Sequence, residues 1–362
     1  MPVLVHVIHE NPDWHAPLAA AFDAEGVPHE QWLIDGGFVD LDSPPPRGVF
    51  WSRMSASSHA RGHLLAKDHT RAVLCWLESH GRRVVNGRRV LELEMSKVDQ
   101  LTALRAAGFD VPRTVAVAGH DELVAAARKL PVPFITKHNQ GGKGLGVRRF
   151  DSHDAFAAHL CSADYTAPVD GITLLQEYVQ PAQPFITRVE VVGGEFVYAI
   201  TADTERGGFD LCPADACAVG QPRQPRESGE SGQPGESSEP RKPRQSSETR
   251  QPRKPHQSSE PGQPREPSEP DQPNLFALRD DFDHPIVGQY LSFARRHGIE
   301  IGGFEFIEQA DGRMVTYDVN TTTNYNAGIE AAARRSARRS ALREVARFLG
   351  RLLAEEAGKG AG

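Results

Sequence analysis

Residues 302–320 read GGFEFIEQADGRMVTYDVN, and this stretch defines the fold most directly. Apolar residues alternate on both sides of the turn sequence ADGR, which predicts two paired antiparallel strands. Asp318 and Asn320 share one face of the second strand, and pairing across the turn brings Glu305 beside them. Three oxygen ligands without sulfur or imidazole suit Mg²⁺. The alternative is an ordinary solvated face of a hairpin.

A second group of residues lies upstream, where Lys137 leaves an apolar strand and is followed by NQGGKGLGV. Glycines beside a strand lysine let backbone N–H groups approach phosphate oxygens closely. The segment is not a P-loop, because Lys143 is followed by Gly144 instead of Ser or Thr. It also does not open a helix, as a Rossmann site requires. A plain glycine hairpin is the alternative.

The composition of the 362-residue chain is uneven. Residues 220–274 hold 12 of the 27 prolines, nine basic and nine acidic residues, and none of the residues AVILMFWYC. Such a tract cannot bury apolar surface, so we expect it to be disordered. The net charge of −7 therefore belongs to the remaining 307 residues, which have an ordinary globular composition. This mild acidity argues against a nucleic-acid partner.

The same composition predicts the cellular setting. Four cysteines do not make a disulfide framework in a chain of this length. No apolar run approaches the 18 residues of a membrane span, and the first residues do not have the pattern of a signal peptide. We therefore expect a cytoplasmic protein without a membrane partner. The sequence is compatible with a homo-oligomer.

Strands and helices alternate over residues 1–93, which predicts an N-terminal parallel α/β domain. Its helix is expected over 63–80, with Leu64 and Leu65 on the core face. Ser96 is expected to cap a helix that Gly108 ends. At the other end of the chain, one long helix is expected from residue 328 to about residue 355.

Taken in order, these motifs resemble the ATP-grasp superfamily, and in particular its RimK-type group of α-L-glutamate and related amino-acid ligases. The resemblance runs from about residue 48 to residue 330, outside the proline-rich tract, and its matching segments are SKVDQLTALRAAGFDVPRT, the glycine-rich loop, LLQEYV, ITRVEVVGGEFVYAI and the strand pair of 302–320. It implies an α/β fold, α+β in the catalytic part, in which two subdomains clasp ATP. The implied divisions are residues 1–93, a lid at 94–179 and a C-terminal subdomain at 180–362.

The resemblance also implies site residues. Arg188 falls at the substrate and phosphate position, and Glu305, Asp318 and Asn320 fall at the magnesium ligands. The implied ATP contacts are Lys97, Lys137, Gly141, Gly142, Lys143, Gly144, Gly146, Gln176, Glu177, Tyr178 and Val179. The implied cofactors are ATP and Mg²⁺, for which Mn²⁺ could substitute.

Some residues depart from the family pattern, and these departures bear mainly on which substrates the protein binds. Ile186 replaces an acidic residue two positions before the arginine, and DVN replaces the metal-binding ExN. The segments TTTNYNAG and GGFDLCPADAC differ from the family's loops, so Asn324 and Cys212 are candidate substrate contacts. Arg53 matches an arginine of the family's N-terminal domain, where it either contacts a substrate carboxylate or forms a structural ion pair.

The activity implied is ATP-dependent joining of a carboxylate to an amine through an acylphosphate, with release of ADP. The substrate expected is an amino acid or a short peptide. Two alternatives remain open at this point. One is an ATP-grasp enzyme with a thiol or other acceptor, and the other is a nucleotide-binding scaffold without catalysis.

Overall fold

The computed structural model describes residues 2–142, 144–207, 275–336 and 338–359, without the side chains of residues 206 and 207. The strands in this part of the chain form three sheets. They are β1 (Leu4–His9), β2 (His29–Leu33), β3 (Gly48–Ser52), β4 (Arg83–Val85), β5 (Thr114–Ala118), β6 (Phe134–His138), β7 (Arg148–Phe150), β8 (Ile172–Glu177), β9 (Phe185–Val192), β10 (Glu195–Asp203), β11 (Phe276–Leu278), β12 (Ile301–Glu308) and β13 (Met314–Asn320).

Helices cover these sheets and connect their strands. They are α1 (Ala16–Ala24), α2 (Ala66–Ser79), α3 (Arg88–Met95), α4 (Lys97–Ala106), α5 (Leu123–Ala127), α6 (His153–Leu160), α7 (Thr204–Gly207), α8 (Ile286–His297), α9 (Ala327–Arg335) and α10 (Ala341–Gly358). None of the helices in the described ranges combines the length and the apolar character that crossing a bilayer requires.

The first sheet is parallel, with strand order β2-β1-β3-β4, as the alternation of strands and helices predicts. All five residues of β3 are buried, because both faces of a parallel sheet are covered. The prediction for the helix that follows β3, α2, is wrong at its first residues. Leu64 and Leu65 are 66% and 69% exposed, since α2 begins only at Ala66 and the loop before it faces solvent.

The second sheet is antiparallel, with order β5-β8-β6-β7. Its apolar face packs on α5 and α6 through a cluster that includes Phe134 and Phe156. The chain enters this region through α4, where Ser96 accepts a hydrogen bond from the Asp99 amide and Gly108 has a φ of 87°. Both features of the α4 prediction are therefore confirmed.

The third sheet has the order β11-β10-β9-β12-β13, with antiparallel neighbours throughout. Gly193 and Gly194 form the turn of the β9–β10 hairpin with φ values of 61° and 80°. The predicted hairpin of 302–320 is present as β12 and β13, with Glu305 opposite Asp318 and Gly303 opposite Asn320. The short strand β11, which pairs with β10, has only three residues and was not predicted from the sequence.

The single long C-terminal helix is wrong, because the chain forms α9 and α10 with a break between them. Ser340 caps α10 by accepting from the Arg343 amide. The buried carboxylate of Glu330 accepts from the Ser340 hydroxyl and from the Ala341 amide, the latter at 3.1 Å. The unpaired N–H groups of the α10 terminus are thus satisfied by side chains, which stabilises the break.

The strands of the three sheets fall within 1–93, 94–179 and 180–362 respectively. The division of the chain into domains at these bounds remains a prediction. The tract 220–274, which the sequence predicts to be disordered, lies outside the described residues.

Candidate active site

A cavity of about 630 Å³ is lined by residues from all three sheets and their loops. The segment after β3 contributes one wall, the glycine-rich loop and β8 contribute the second, and β9, β12 and β13 contribute the third. Most of the predicted site residues lie on these walls. The sequence therefore brings together groups that are more than 200 residues apart.

Glu305, Asp318 and Asn320 are in mutual contact, as their strand register predicts. The Asn320 Nδ2 donates to Glu305 Oε1 at 3.0 Å and to Asp318 Oδ2 at 3.4 Å. Burial raises the pKa of Glu305 in spite of the nearby Arg188. Burial would also raise the pKa of Asp318, but Lys97 and Lys137 lower it below its usual value.

Tyr317 joins this group, although strict strand alternation would point it to the opposite face. A β-bulge after Glu305 inserts one extra residue into β13, so that Tyr317 and Asp318 both reach the site. The Tyr317 hydroxyl donates to Glu305 Oε2 at 2.8 Å. The sequence pattern does not locate the bulge, and Tyr317 was therefore missed.

Two lysines approach the carboxylates, Lys97 from α4 and Lys137 from β6. Lys97 Nζ donates to Asp318 Oδ1 at 2.5 Å, and Asp318 raises the lysine's pKa against the effect of burial. Lys137 Nζ lies 4.7 Å from the centre of the Tyr317 ring. Burial, together with the charge of Lys97, lowers the pKa of Lys137 to about 8. The two lysines thus place two positive charges close to the carboxylate of Asp318.

Arg188 projects from β9 and is held by three partners. Its Nε donates to Glu190 Oε1 at 2.6 Å and its Nη1 to Glu305 Oε1 at 3.0 Å. Its Nη2 donates to the Thr323 hydroxyl at 3.0 Å. Burial would lower the pKa of Arg188, but Glu190 and Glu305 raise it, so the guanidinium remains charged and fixed.

The glycine-rich loop closes one end of the cavity. Gly141, Gly142 and Gly144 line it, and Gly144 and Gly146 have φ values of 70° and 71°. Thr136 Oγ1 donates to the Gly146 carbonyl at 2.8 Å, which fixes the base of the loop. Lys143 lies outside the described residues.

Residues 176–179, which are predicted to contact ATP, form the cavity wall at the end of β8. Gln176 Nε2 donates to Thr114 Oγ1 at 2.9 Å, and Glu177 Oε1 accepts from the Arg113 amide at 2.8 Å. The Tyr178 amide donates to the Pro133 carbonyl at 3.3 Å. Among the described residues, none accepts a hydrogen bond from the Val179 amide, which therefore remains free for a ligand.

The three candidate substrate contacts have different outcomes. Asn324 lines the cavity. Arg53 lies behind Asn324 and donates to Asn324 Oδ1 at 3.0 Å. Cys212 lies outside the described residues. A half-buried carboxylate that the sequence did not single out, Glu94, also lines the cavity. It accepts from the Thr321 amide and hydroxyl, both at 2.8 Å.

The donor set fits a hard divalent cation. Glu305, Asp318 and Asn320 offer carboxylate and amide oxygens, the donors that Mg²⁺ takes together with substrate phosphates. Asn320 would have to turn its amide, since its nitrogen faces both carboxylates here. Among the described residues, no three His, Cys, Asp or Glu side chains form a metal-binding group. A complete set of oxygen donors for the cation would thus need the Asn320 amide oxygen and oxygen atoms of a bound ligand.

No protein-family model and no curated protein matches the sequence. Solved structures do match it. The RimK domain protein ATP-grasp from Sphaerobacter thermophilus DSM 20745 has 14% sequence identity and a TM-score of 0.58, covering 96% of this chain and 99% of that one. The D-cycloserine synthetase DcsG has 15% identity and a TM-score of 0.56, with 96% and 99% covered.

A third similar structure is the ATP-grasp ligase PsnB complexed with a minimal precursor, Mg and ADP. It has 15% identity and a TM-score of 0.54, and 99% of each chain is covered. At such identities the likeness concerns architecture. The three sheets, their strand orders and these similarities together show that the chain has the ATP-grasp fold.

Proposed function

We propose that this protein is an ADP-forming carboxylate–amine ligase that acts on an amino acid or a short peptide. The observation that carries the proposal is the convergence of Lys97, Lys137 and Arg188 on Glu305, Asp318 and Asn320 in one cavity of an ATP-grasp fold. A nucleotide-binding scaffold has little need for a metal set and three fixed cations together.

The proposed reaction has two steps. A substrate carboxylate oxygen attacks the γ-phosphorus of ATP, and the bond between this phosphorus and the β-phosphate oxygen breaks, which releases ADP. An amine then attacks the carbonyl carbon of the acylphosphate. The carbon–oxygen bond to phosphate breaks, inorganic phosphate leaves, and the amine loses a proton to solvent or phosphate. An amide is the product.

The charged side chains have distinct roles in this proposal. Lys97 and Lys137 bind the ATP phosphates, and Glu305, Asp318 and Asn320 hold Mg²⁺. When bound, the ion supplies positive charge that offsets the phosphate charges. Arg188 stabilises charge on the transferring phosphoryl group and on the later tetrahedral oxyanion. Loss of one such donor typically raises a barrier by about 3 kcal/mol.

Exclusion of water is the role of the glycine-rich loop. An acylphosphate hydrolyses readily, so the loop must cover the reacting groups after ATP binds. Gly142 packs near Ser57 of the segment after β3, with 3.6 Å between the Ser57 hydroxyl and the position that a Cβ on Gly142 would take. This contact would let the loop close the cavity against the N-terminal region.

The descriptions of similar solved structures support the proposed cofactors and the proposed class of substrate. PsnB was solved with Mg and ADP and with a minimal precursor, whereas DcsG is described as a D-cycloserine synthetase. We therefore propose ATP and Mg²⁺ as cofactors and an amino-acid or peptide substrate. The free, exposed thiols of Cys75 and Cys161 fit a reducing compartment, for which we propose the cytoplasm.

The experiment that tests the proposal incubates the purified protein with Mg-ATP and pairs of amino acids and short peptides. Nucleotide products are separated, and new product masses are recorded. We expect substrate-dependent ADP, phosphate and an amide that is lighter than its two precursors by one water. A thioester or a phosphorylated product would favour the other-acceptor alternative. AMP release, or no substrate-dependent turnover, would contradict the proposal.

A further inference from the structure

Two arginines are buried beside the cavity, and among the described residues only one of them contacts carboxylates. Arg188 is 6% exposed and contacts the carboxylates of Glu190 and Glu305. Arg53 is 2% exposed and, within the described part of the chain, donates only to neutral oxygens. These oxygens are the Trp14 carbonyl at 3.3 Å, the Thr323 carbonyl at 2.8 Å and Asn324 Oδ1 at 3.0 Å.

No described carboxylate forms an ion pair with Arg53, so the alternative of a structural ion pair does not hold in this part of the chain. Glu10 is near, but both of its oxygens accept from Arg61, at 2.5 and 3.1 Å. The Nε of Arg53 has no acceptor among the described residues. A buried guanidinium stays charged, and a charge without a counter-charge is costly to bury. The missing anion is therefore a candidate ligand.

The position of Arg53 in the first sheet supports a ligand. It follows β3, and Glu10 follows β1, the two neighbouring strands at which the strand order of the parallel sheet reverses. Ligands of open parallel sheets bind in the crevice at the carboxyl ends of strands at such a switch point. Trp14, Ser55, Ser57 and Asn324 of this region line the cavity.

Arg53 is also connected to the proposed reaction centre. Thr323 accepts from Arg188 through its hydroxyl and from Arg53 through its carbonyl. Thr323 thus links Arg188, which would stabilise the reacting phosphoryl group, to Arg53, which pairs with no described carboxylate.

We infer that the wall formed by Trp14, Ser55, Ser57 and Asn324, backed by Arg53, is a subsite for a substrate carboxylate that is not itself phosphorylated. The inference rests on the proposed function and specifies its substrate: an amino acid, or a peptide with a free carboxyl terminus, in which this group remains unreacted. Arg53 is a positioning residue that acts through Asn324 and provides the positive charge.

The hydrogen bonds of the wall suit such a ligand. Asn324 Oδ1 accepts from Arg53, which leaves its Nδ2 to donate to a carboxylate oxygen. The hydroxyls of Ser55 and Ser57 lie 3.0 Å apart, and Ser57 also accepts from Arg61 Nη1 at 3.0 Å. The ligand would therefore meet one amide donor and hydroxyl donors, with Arg53 behind them.

The test uses the full chain and measures binding, so that turnover is not required. The probes are the twenty amino acids and their primary amides, in which the α-carboxylate is replaced by a neutral group. Each is titrated by calorimetry with and without Mg-ADP. We expect at least one amino acid to bind, and its amide to bind at least about 30-fold more weakly, because a charge-assisted hydrogen bond is lost.

Two variants test the role of Arg53. Arg53→Met should remove the preference for the amino acid over its amide. Asn324→Asp leaves Arg53 in place but supplies the counter-charge within the protein, so it should abolish amino-acid binding even if Arg53→Met fails to fold. Arg82→Met is the matched control, because Arg82 also donates to carbonyl oxygens, those of Pro45 and Pro46, and does not line the cavity.

The outcomes separate this inference from the proposed function. The inference is overturned if no amino acid binds the wild-type protein loaded with Mg-ADP, if the amide binds as tightly, or if Asn324→Asp binds like wild type. Selective amino-acid binding by a protein that does not bind Mg-ADP would contradict the proposed function and support the carboxylate subsite. Binding of neither overturns both.

Discussion

At the scale of single residues, the site is an arrangement of buried and half-buried charges whose pKa values depend on one another. Asp318 keeps its charge because Lys97 and Lys137 offset the effect of burial. Burial, and after it the charge of Lys97, lowers the pKa of Lys137 to about 8, although Asp318 acts in the opposite direction. Its charge is therefore incompletely compensated before a ligand binds. A phosphate group would supply the missing negative charge.

We predict that Lys137→Met folds normally and weakens Mg-ADP binding by about 30-fold, because one charge-assisted hydrogen bond to phosphate contributes about 2 kcal/mol. Calorimetry measures the dissociation constant, and circular dichroism checks the fold. Lys129→Met, a change at an exposed lysine outside the cavity, is the control. Unchanged affinity in Lys137→Met would remove this lysine from the proposed phosphate site.

Single residues also show what the sequence can and cannot predict. Glu305, Asp318 and Asn320 were predicted to meet because strand alternation and a short turn determine which side chains are neighbours. Tyr317 was not, because a bulge changes the alternation locally and depends on tertiary packing. Glu94 was missed for a similar reason: its partner Thr321 lies 227 positions away in sequence.

At the scale of elements, the glycine-rich loop has one position where only glycine fits. Gly146 has a φ of 71°, and a Cβ there would lie 2.2 Å from the nearest atom of the His138 ring. The ring is in turn anchored, since His138 Nε2 is 3.0 Å from the Thr166 carbonyl. The loop conformation therefore depends on the absence of a side chain at this position.

We predict that Gly146→Ala weakens Mg-ADP binding at least tenfold, because the loop must shift to relieve the clash and the backbone is strained. Gly119→Ala is the control, since Gly119 also has a positive φ, of 78°, but has nothing within 4 Å of a Cβ. The control should lose some stability, as measured by urea unfolding, without losing affinity. Equal nucleotide affinity in both variants would contradict the assignment of the loop.

Elements also differ in how far their bounds could be predicted. Helix α4 was predicted with its cap and its stop, because Ser96 and Gly108 are local signals. The break between α9 and α10 was missed, because Ser340 becomes a cap only with the help of Glu330, whose carboxylate is brought there by the fold. A run rich in alanine and arginine otherwise has high helix propensity throughout.

At the scale of the whole molecule, Asn86 joins the first sheet to the third. Its Oδ1 accepts from the amides of Glu300 and Ile301 at 3.0 and 3.3 Å, and its Nδ2 donates to the Ile301 and Thr321 carbonyls at 2.7 and 3.1 Å. A φ of 53° allows this placement. The N-terminal region is thereby fixed against the strands that carry the candidate metal ligands.

The same region contains two buried histidines, and they predict how stability depends on pH. His9 and His15 stack with ring centres 5.0 Å apart. Burial is the largest cause that lowers both pKa values to about 4, from 6.5 in the unfolded chain. Between pH 6.5 and 4 the unfolded state therefore binds more protons, and stability falls as the pH falls.

We predict that the double variant His9→Gln, His15→Gln loses less stability than wild type between pH 6.5 and 5. The difference should be about 1–2 kcal/mol for each histidine. Urea unfolding at several pH values measures the free energy of unfolding. Parallel pH profiles for the two proteins would show that these histidines do not contribute.

The proline-rich tract can be tested at the same scale. The chain leaves the third sheet after β10 and returns in β11, and these strands are paired, with Ala202 opposite Phe276. Both ends of the connection therefore belong to one sheet edge, and the length of a loop has a small entropic effect. We predict that deleting 220–274 changes kcat by less than about twofold. A scaffold without catalysis that recruits a partner through this tract would instead lose that partner. Loss of turnover would assign the tract a catalytic role.

The central claim is that a carboxylate is phosphorylated before an amine attacks it, and oxygen labelling tests it most directly. A substrate identified in the turnover assay is prepared with ¹⁸O in the reacting carboxylate, and the released phosphate is analysed by mass spectrometry. The proposed reaction predicts one ¹⁸O atom in each phosphate and none in the nucleotide. Unlabelled phosphate, or label in AMP, would contradict it.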